Sequence, residues 1–184
     1  MEVDKTKVEV IAKLSKSKCI KDIISFLGYA GFYPRFIKEF SKITRPLTNL
    51  FAKDAPFNFD DRCLEACEKL KQELVFSPII SAPDWTKLFE IICDALDFAI
   101  GVVLGHHINN RQHTIYYASR SLNDVQQNYT TTEKEFLTIV FALENFRLYP
   151  LGFKTTVFTD HSALRYLVTN KNTKARLIQW ILLL

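Results

Sequence analysis

The chain has 184 residues, 48% of them apolar, which is enough for one domain or one and a half with a sizeable core. Its first 18 residues are charged throughout and no apolar run reaches spanning length, so we expect an intracellular protein with no signal peptide and no membrane role. The net charge of +4 is uneven, because residues 1–55 hold eleven basic and six acidic residues. This basic N-terminal stretch is compatible with nucleic-acid contact, although solvated helices often carry such a surplus.

The four cysteines predict neither a zinc site nor a disulfide. Their spacing matches no zinc motif, and reduced, mostly buried thiols suit an intracellular chain. Cys63 and Cys67 lie on the apolar stripe of a predicted helix, which favours a core position for both. The other two are Cys19 and Cys93.

Residues 20–40 carry apolar side chains at helical spacing and predict one or two helices. Pro34 lacks an N–H and would clash with the preceding turn, so we expect a break close to Tyr33. A short helix is expected over residues 44–52, followed by a loop.

A further helix is predicted from a cap at Asp60 or Asp61 to about Val75. Pro78 and Pro83 then mark a connector, since neither proline continues a helix. Residues from about 20 to 75 are therefore expected to be helical, with a loop at 53–59, and to form a separate small unit, whereas residues 1–17 are expected to be a strand or a loop.

The composition changes at Lys87, where strands begin to alternate with helices. The expected elements are strands at 88–93, 99–104, 114–118 and 154–160, and helices at 133–149 and 162–169. Three meander strands followed by a helical crossover predict a mixed α/β sheet whose last strand is parallel to its first. We expect an exposed hairpin tip that carries His106, His107 and His113 and needs no metal.

Two strands of this sheet end in an aspartate. Asp94 follows the apolar run IIC, and Asp160 ends TTVFTD. A carboxylate at the mouth of a buried strand needs a partner, a hydrogen bond or a metal, although Asp94 and Asp97 could instead only build a turn. Parallel strands bring their carboxyl ends to one edge of the sheet, where open α/β sheets form their sites.

A third carboxylate comes from the crossover helix. Glu135 falls at the edge of the apolar stripe and leans toward the sheet. A capping box of Thr132 with Glu135 would occupy it, whereas a box of Thr130 with Glu133 would leave it free, and the sequence favours neither. If Glu135 is free, three hard oxygen ligands converge, which suits magnesium or manganese.

Five long stretches of the chain are informative as ordered sequences: SFLGYAGFYPRFIKEFSKITRPLTNLF, FDDRCLEACEKLKQELVFSPIISAPDW, FEIICDALDFAIGVVLG, IYYASRSLNDVQQNYTTTEKEFLTIVFALENFRLYPLG and FTDHSALRYL. In this order they resemble the C-terminal part of a gypsy-class LTR retrotransposon reverse transcriptase. The resemblance covers nearly the whole chain. It implies a thumb-like helical segment at 1–55, a connection helix and linker at 56–86, and a truncated ribonuclease H-like domain at 87–184.

The resemblance also implies a site and a chemistry. The ribonuclease H acids map to Asp94, Glu135 and Asp160, the residues that the pattern had selected. These acids would hold two magnesium or manganese ions roughly 4 Å apart and hydrolyse the RNA strand of an RNA–DNA hybrid, with Asp94 shared between the ions. Arg120 and Lys134 are expected to be phosphate contacts or, alternatively, solvated surface charges. A polymerase palm and an integrase would be contiguous in the parent polyprotein.

Several positions depart from the family pattern. Leu96 stands where the family usually has serine after Asp-Ala, and Pro34 stands where it usually has arginine. The Tyr-x-Asp-Asp motif of the polymerase palm and the fourth carboxylate are absent, and the apolar ending Gln179–Leu184 suggests a cut chain whose second metal site is weakened. The alternative to a nuclease is therefore an inactive remnant that at most binds nucleic acid or a protein.

Overall fold

The helical head forms because its apolar residues recur at helical spacing and its breaks carry proline. A computed structural model of the chain describes residues 20–31, 33–51, 57–76, 80–147, 149 and 154–160. The head contains α1 (Ile20–Ala30), a 3₁₀ turn (Pro34–Phe36), α2 (Phe40–Asn49) and α3 (Asp61–Val75). Its described residues contain no strand.

The predicted break near Tyr33 is confirmed. Helix α1 ends at Ala30, and Pro34 opens the 3₁₀ turn, where a missing N–H costs nothing. The cap of α3 is Asp60, whose carboxylate accepts a hydrogen bond from the Cys63 N–H at 3.0 Å. Helix α2 begins four residues earlier than predicted, at Phe40, after Glu39 in a left-handed conformation with φ 54°.

The second part of the chain is a four-stranded sheet with one long helix. Its elements are β1 (Phe89–Ala95), β2 (Ala99–Ile108), β3 (Arg111–Ser121), α4 (Asp124–Gln127), α5 (Thr131–Phe146) and β4 (Thr155–Phe158). The strand order is β3-β2-β1-β4, with β4 parallel to β1 and the other pairs antiparallel. The predicted mixed α/β sheet is confirmed, and the short helix α4 was not predicted.

The hairpin tip is much tighter than the predicted span of residues 106–113. Strands β2 and β3 pair as far as Ile108 and Arg111, so only Asn109 and Asn110 form the turn, both with positive φ. The exposed position predicted for His106 is wrong: it is 1% exposed, because its ring packs 4.6 Å from that of Phe89.

Two hydrophobic cores account for most of the buried side chains. One lies among the helices of the head, and the other lies between the sheet and α5. Cys63 and Cys67 belong to the first core and Cys93 to the second, and all three are free thiols. Cys19, residues 1–18 and the predicted helix at 162–169 lie outside the described residues.

The head and the sheet meet at α2. The Ser41 N–H donates to Ser119 Oγ on β3 at 2.9 Å, and the two serine hydroxyls lie 3.1 Å apart. The Arg45 guanidinium carbon lies 3.8 Å from the centroid of the Phe98 ring, in the turn between β1 and β2. These contacts place the N-terminal end of α2 beside the edge of the sheet where β1 ends.

Candidate active site

The parallel pairing of β1 with β4 brings two aspartates to one edge of the sheet. Ile92 lies opposite Phe158 in the register, so Asp94 and Asp160 each follow two residues later, Asp94 within β1 and Asp160 just after β4. Side chains two residues apart share a face of the sheet. Asp94 and Asp160 are both exposed and line the same groove.

Glu135 is free of the helix cap. Thr130 caps α5, because its hydroxyl accepts from the Glu133 N–H at 3.3 Å and the Glu133 carboxylate accepts from the Thr130 N–H at 3.0 Å. Of the two capping boxes, the structure has the one that leaves Glu135 available.

Two donors from the sheet hold the Glu135 carboxylate. The Ala95 N–H, at the end of β1, donates to Oε1 at 3.2 Å, and the Thr159 hydroxyl, just after β4, donates to Oε2 at 2.8 Å. Glu135 is 2% exposed. It therefore bridges the ends of the two strands that carry Asp94 and Asp160.

The surroundings of Glu135 act on its pKa in opposite directions. Burial raises the pKa of this carboxyl, the hydrogen bond from Thr159 lowers it, and the nearby charge of Asp160 raises it again. The net pKa lies above the ordinary value. Burial, with a smaller contribution from Glu135, also raises the pKa of the Cys93 thiol to about 12, so this cysteine is no nucleophile near neutral pH.

The groove beside Asp94 and Asp160 has a volume of about 430 Å³. It lies on the sheet face opposite the core, since Val103 and Tyr117 line it. The head supplies one wall through Lys38 and Glu39, immediately before α2.

The three acids form a donor set that suits a hard divalent cation, but not a closed ligand cage. Glu135 and Asp160 lie close enough for their charges to interact, and Asp94 and Asp160 share the groove. Among the described residues, no three His, Cys, Asp or Glu side chains form a group that could hold a metal ion. The three-acid metal cluster therefore stays a prediction, and the excess of negative charge is the feature that favours a cation.

The two predicted phosphate contacts occupy different environments. Lys134 is 7% exposed, because its ammonium turns inward to the Asp97 carbonyl oxygen at 3.2 Å and the Asp97 carboxylate at 3.4 Å. A solvated position for Lys134 is therefore wrong, since it ties α5 to the turn after Asp94. Arg120 is half-buried over the Phe141 ring, and its buried Nε finds no hydrogen-bond partner among the described residues.

The two departures from the family pattern, Leu96 and Pro34, both occupy positions that are compatible with the fold. Leu96 lies in the turn between β1 and β2, where its N–H donates to the Ala99 carbonyl oxygen at 2.8 Å. Pro34 occupies the first position of the 3₁₀ turn. Thr159 was missed by the sequence reasoning, although its position directly before Asp160 was an available signal.

The ribonuclease H-like class of proteins is defined by its fold and its site. The fold is a mixed sheet with a crossover helix, and the site has acids at the carboxyl end of the parallel strands. The family model for the RNase H-like domain found in reverse transcriptase matches residues 84–184. The chain belongs to this family.

Similar sequences come from retrotransposons. The chain is 35% identical over 98% of its length to the retrovirus-related Pol polyprotein from transposon opus and 33% identical over 96% to that from transposon gypsy, both of Drosophila melanogaster. It spans only 19% and 18% of these polyproteins. The resemblance to gypsy-class elements is thus confirmed.

Solved structures share the fold at lower identity. The foamy viral protease-reverse transcriptase dRH in complex with double-stranded DNA gives a TM-score of 0.82 at 20% identity, over 99% of this chain and 33% of that one. The foamy viral protease-reverse transcriptase in complex with RNA/DNA hybrid gives 0.77 at 20% identity, over 98% of this chain and 25% of that one. Within the described ranges, no helix has the length and apolar character needed to cross a membrane.

Proposed function

We propose that this chain is the nuclease part of a retrotransposon Pol polyprotein and hydrolyses the RNA strand of RNA–DNA hybrids with magnesium or manganese. The observation that carries the proposal is the placement of Asp94, Glu135 and Asp160 at the joined ends of β1 and β4. The membership of the family and the hybrid bound by a foamy viral relative support the choice of substrate.

Each acid has a role in this proposal. Asp94 and Asp160 are exposed at the groove and would hold the ions, with Asp94 shared between two of them. Glu135 would complete the site from the helix side. When bound, such ions activate a water molecule and stabilise the charge that develops on phosphate oxygens.

The proposal extends to the neighbouring domains of the parent protein and to the location in the cell. The chain spans about a fifth of the Pol polyproteins that it matches, so a polymerase palm and an integrase are proposed as its neighbours in the parent protein. Free, buried cysteines fit an intracellular location.

The test is cleavage of a labelled RNA–DNA hybrid by the wild-type chain and by Asp94→Asn. We expect manganese-dependent cleavage by the wild type and a loss of about 100-fold or more in the variant, which lacks the shared ligand. Asp124→Asn is the matched control, because Asp124 is an exposed aspartate at the start of α4 and does not line the groove. Equal cleavage by the wild type and Asp94→Asn would reject the assigned site.

A second candidate is a module that binds nucleic acid or a protein without cleaving it. The absence of a three-ligand metal group among the described residues favours it. Hybrid binding without cleavage at any manganese concentration would decide for this candidate.

A further inference from the structure

Three threonine hydroxyls of the described helices bond to a nearby carbonyl of their own helix. Thr44 donates to the Phe40 carbonyl oxygen, Thr48 to that of Arg45, and Thr138 to that of Lys134. Thr159 differs, because its hydroxyl reaches a carboxylate 24 residues away on another element, at 2.8 Å. A local structural role does not explain this contact.

The orientation of the Glu135 carboxylate has to be fixed by neighbouring groups. Its long side chain has several rotamers, and the charge of Asp160 nearby disfavours an inward-facing carboxylate. The Ala95 N–H holds one oxygen at 3.2 Å, and a single hydrogen bond leaves the carboxylate free to rotate about that contact. Thr159 supplies the second point of attachment, on the other oxygen.

We propose that Thr159 is a positioning residue, whose hydroxyl fixes Glu135 in the orientation in which it joins Asp160 as a ligand for a divalent cation. Thr159 precedes Asp160 directly, so one short segment of backbone places both the hydroxyl and the neighbouring acid. Each carboxylate oxygen of Glu135 keeps a lone pair that is not used by these two donors. The inference rests on the proposed function, because it concerns the same site.

The test compares three variants of the full chain by calorimetric titration with manganese chloride. Thr159→Val removes the hydroxyl and keeps the shape, Thr159→Ser restores the hydroxyl, and Thr156→Val makes the same change on β4 away from Glu135. Loss of a partner that orients a ligand weakens metal affinity roughly 10- to 100-fold, and we expect this for Thr159→Val. Thr159→Ser and Thr156→Val should bind like the wild type. Equal affinity of the wild type and Thr159→Val would overturn the inference.

A metal-free measurement separates this inference from the proposed function. A double-mutant cycle of Thr159→Val with Glu135→Ala, followed by urea unfolding in EDTA, should show non-additive unfolding constants by a factor of at least about three. A wild-type chain that binds no manganese would reject the proposed function. In that case, coupling in the cycle would still support the positioning of Glu135 by Thr159, and additivity would overturn it.

Discussion

Glu135 is nearly fully buried beside a second carboxylate, so its charged form is costly without a cation. Burial raises its pKa, the Thr159 hydrogen bond lowers it, and the Asp160 charge raises it. An acid whose pKa is higher in the folded than in the unfolded chain binds protons more readily when folded. Its contribution to the stability of the fold therefore falls as the pH rises from the unfolded value, near 4.5, through the folded value.

The variant Glu135→Gln tests this cost, because it removes the charge and keeps the size. In metal-free buffer at pH 7 we expect its melting temperature to rise by roughly 2–4 °C, the shift that corresponds to about 1 kcal/mol. The gain should shrink as the pH falls toward 4.5. Thermal unfolding in EDTA across this range is the measurement, with Glu144→Gln as an exposed control on the same helix. A variant less stable than the wild type at pH 7 would contradict the argument.

His106 satisfies two backbone groups with one ring. The Asp84 N–H donates to Nε2 at 3.0 Å, which leaves Nδ1–H to donate to the Leu88 carbonyl oxygen at 2.9 Å. The ring therefore joins the segment before β1 to the middle of the sheet.

Replacing His106 by leucine should destabilise the chain by about 2–4 kcal/mol, because both backbone groups lose their partner. The neighbouring variant His107→Leu is the matched control, since His107 is exposed and its ring nitrogen lies 3.6 Å from the Glu90 carboxylate, beyond hydrogen-bonding distance. Urea unfolding of the two variants measures the difference. Similar losses of unfolding free energy in both variants would show that the two hydrogen bonds of His106 do not stabilise the fold.

The elements with strong periodicity could be predicted from the sequence, and so could the hairpin of β2 and β3, but the length of its strands could not. Helix α3 and the break at Pro34 follow from local caps and proline chemistry, which short stretches of sequence contain. The polar residues 106–113 suggested a broad loop, but pairing between β2 and β3 continues through them. Tertiary packing decided this, since His106 is buried against Phe89, and no local pattern contains that contact.

The Asn109-Asn110 turn offers a test at this scale. Both residues have positive φ, near 52° and 58°, as a two-residue hairpin turn requires. Asn110→Gly should stabilise the chain by roughly 0.5 kcal/mol, and Asn110→Val should destabilise it by about 1–2 kcal/mol, because a β-branched residue is strained there. Urea midpoints with unchanged slopes would establish both effects. Opposite signs would show that the turn does not set the hairpin.

For the whole chain, the candidate site followed from topology more than from any motif. Parallel strands that both end in aspartate must bring those residues to one edge, so Asp94 and Asp160 could be placed together. The helix phase placed Glu135 near them but could not choose between the two caps. The position of Thr159 directly before Asp160 marks it as a neighbour of the site, but its hydrogen bond to Glu135 joins separate elements and could not be predicted from the sequence.

The two hydrophobic cores raise the question of whether the chain unfolds as one unit. Leu70 is fully buried in the core of the head and Ile91 in the core of the sheet. Contacts such as Ser41 with Ser119 and Arg45 with Phe98 connect the two parts, and units of one chain that meet at an interface often move relative to each other. The boundary between the head and the sheet domain stays a prediction until this coupling is measured.

Leu70→Ala and Ile91→Ala test the coupling, because each leaves a cavity in one core at a cost of about 2–5 kcal/mol. If the units are independent, Leu70→Ala should speed amide hydrogen exchange in Asp61–Val75 and leave Phe89–Ala95 protected, and Ile91→Ala should do the reverse. Exchange measured by mass spectrometry on peptides from both segments gives the answer. Faster exchange in both segments for either variant would show a single cooperative unit, and the head would then have to be treated as part of the nuclease fold.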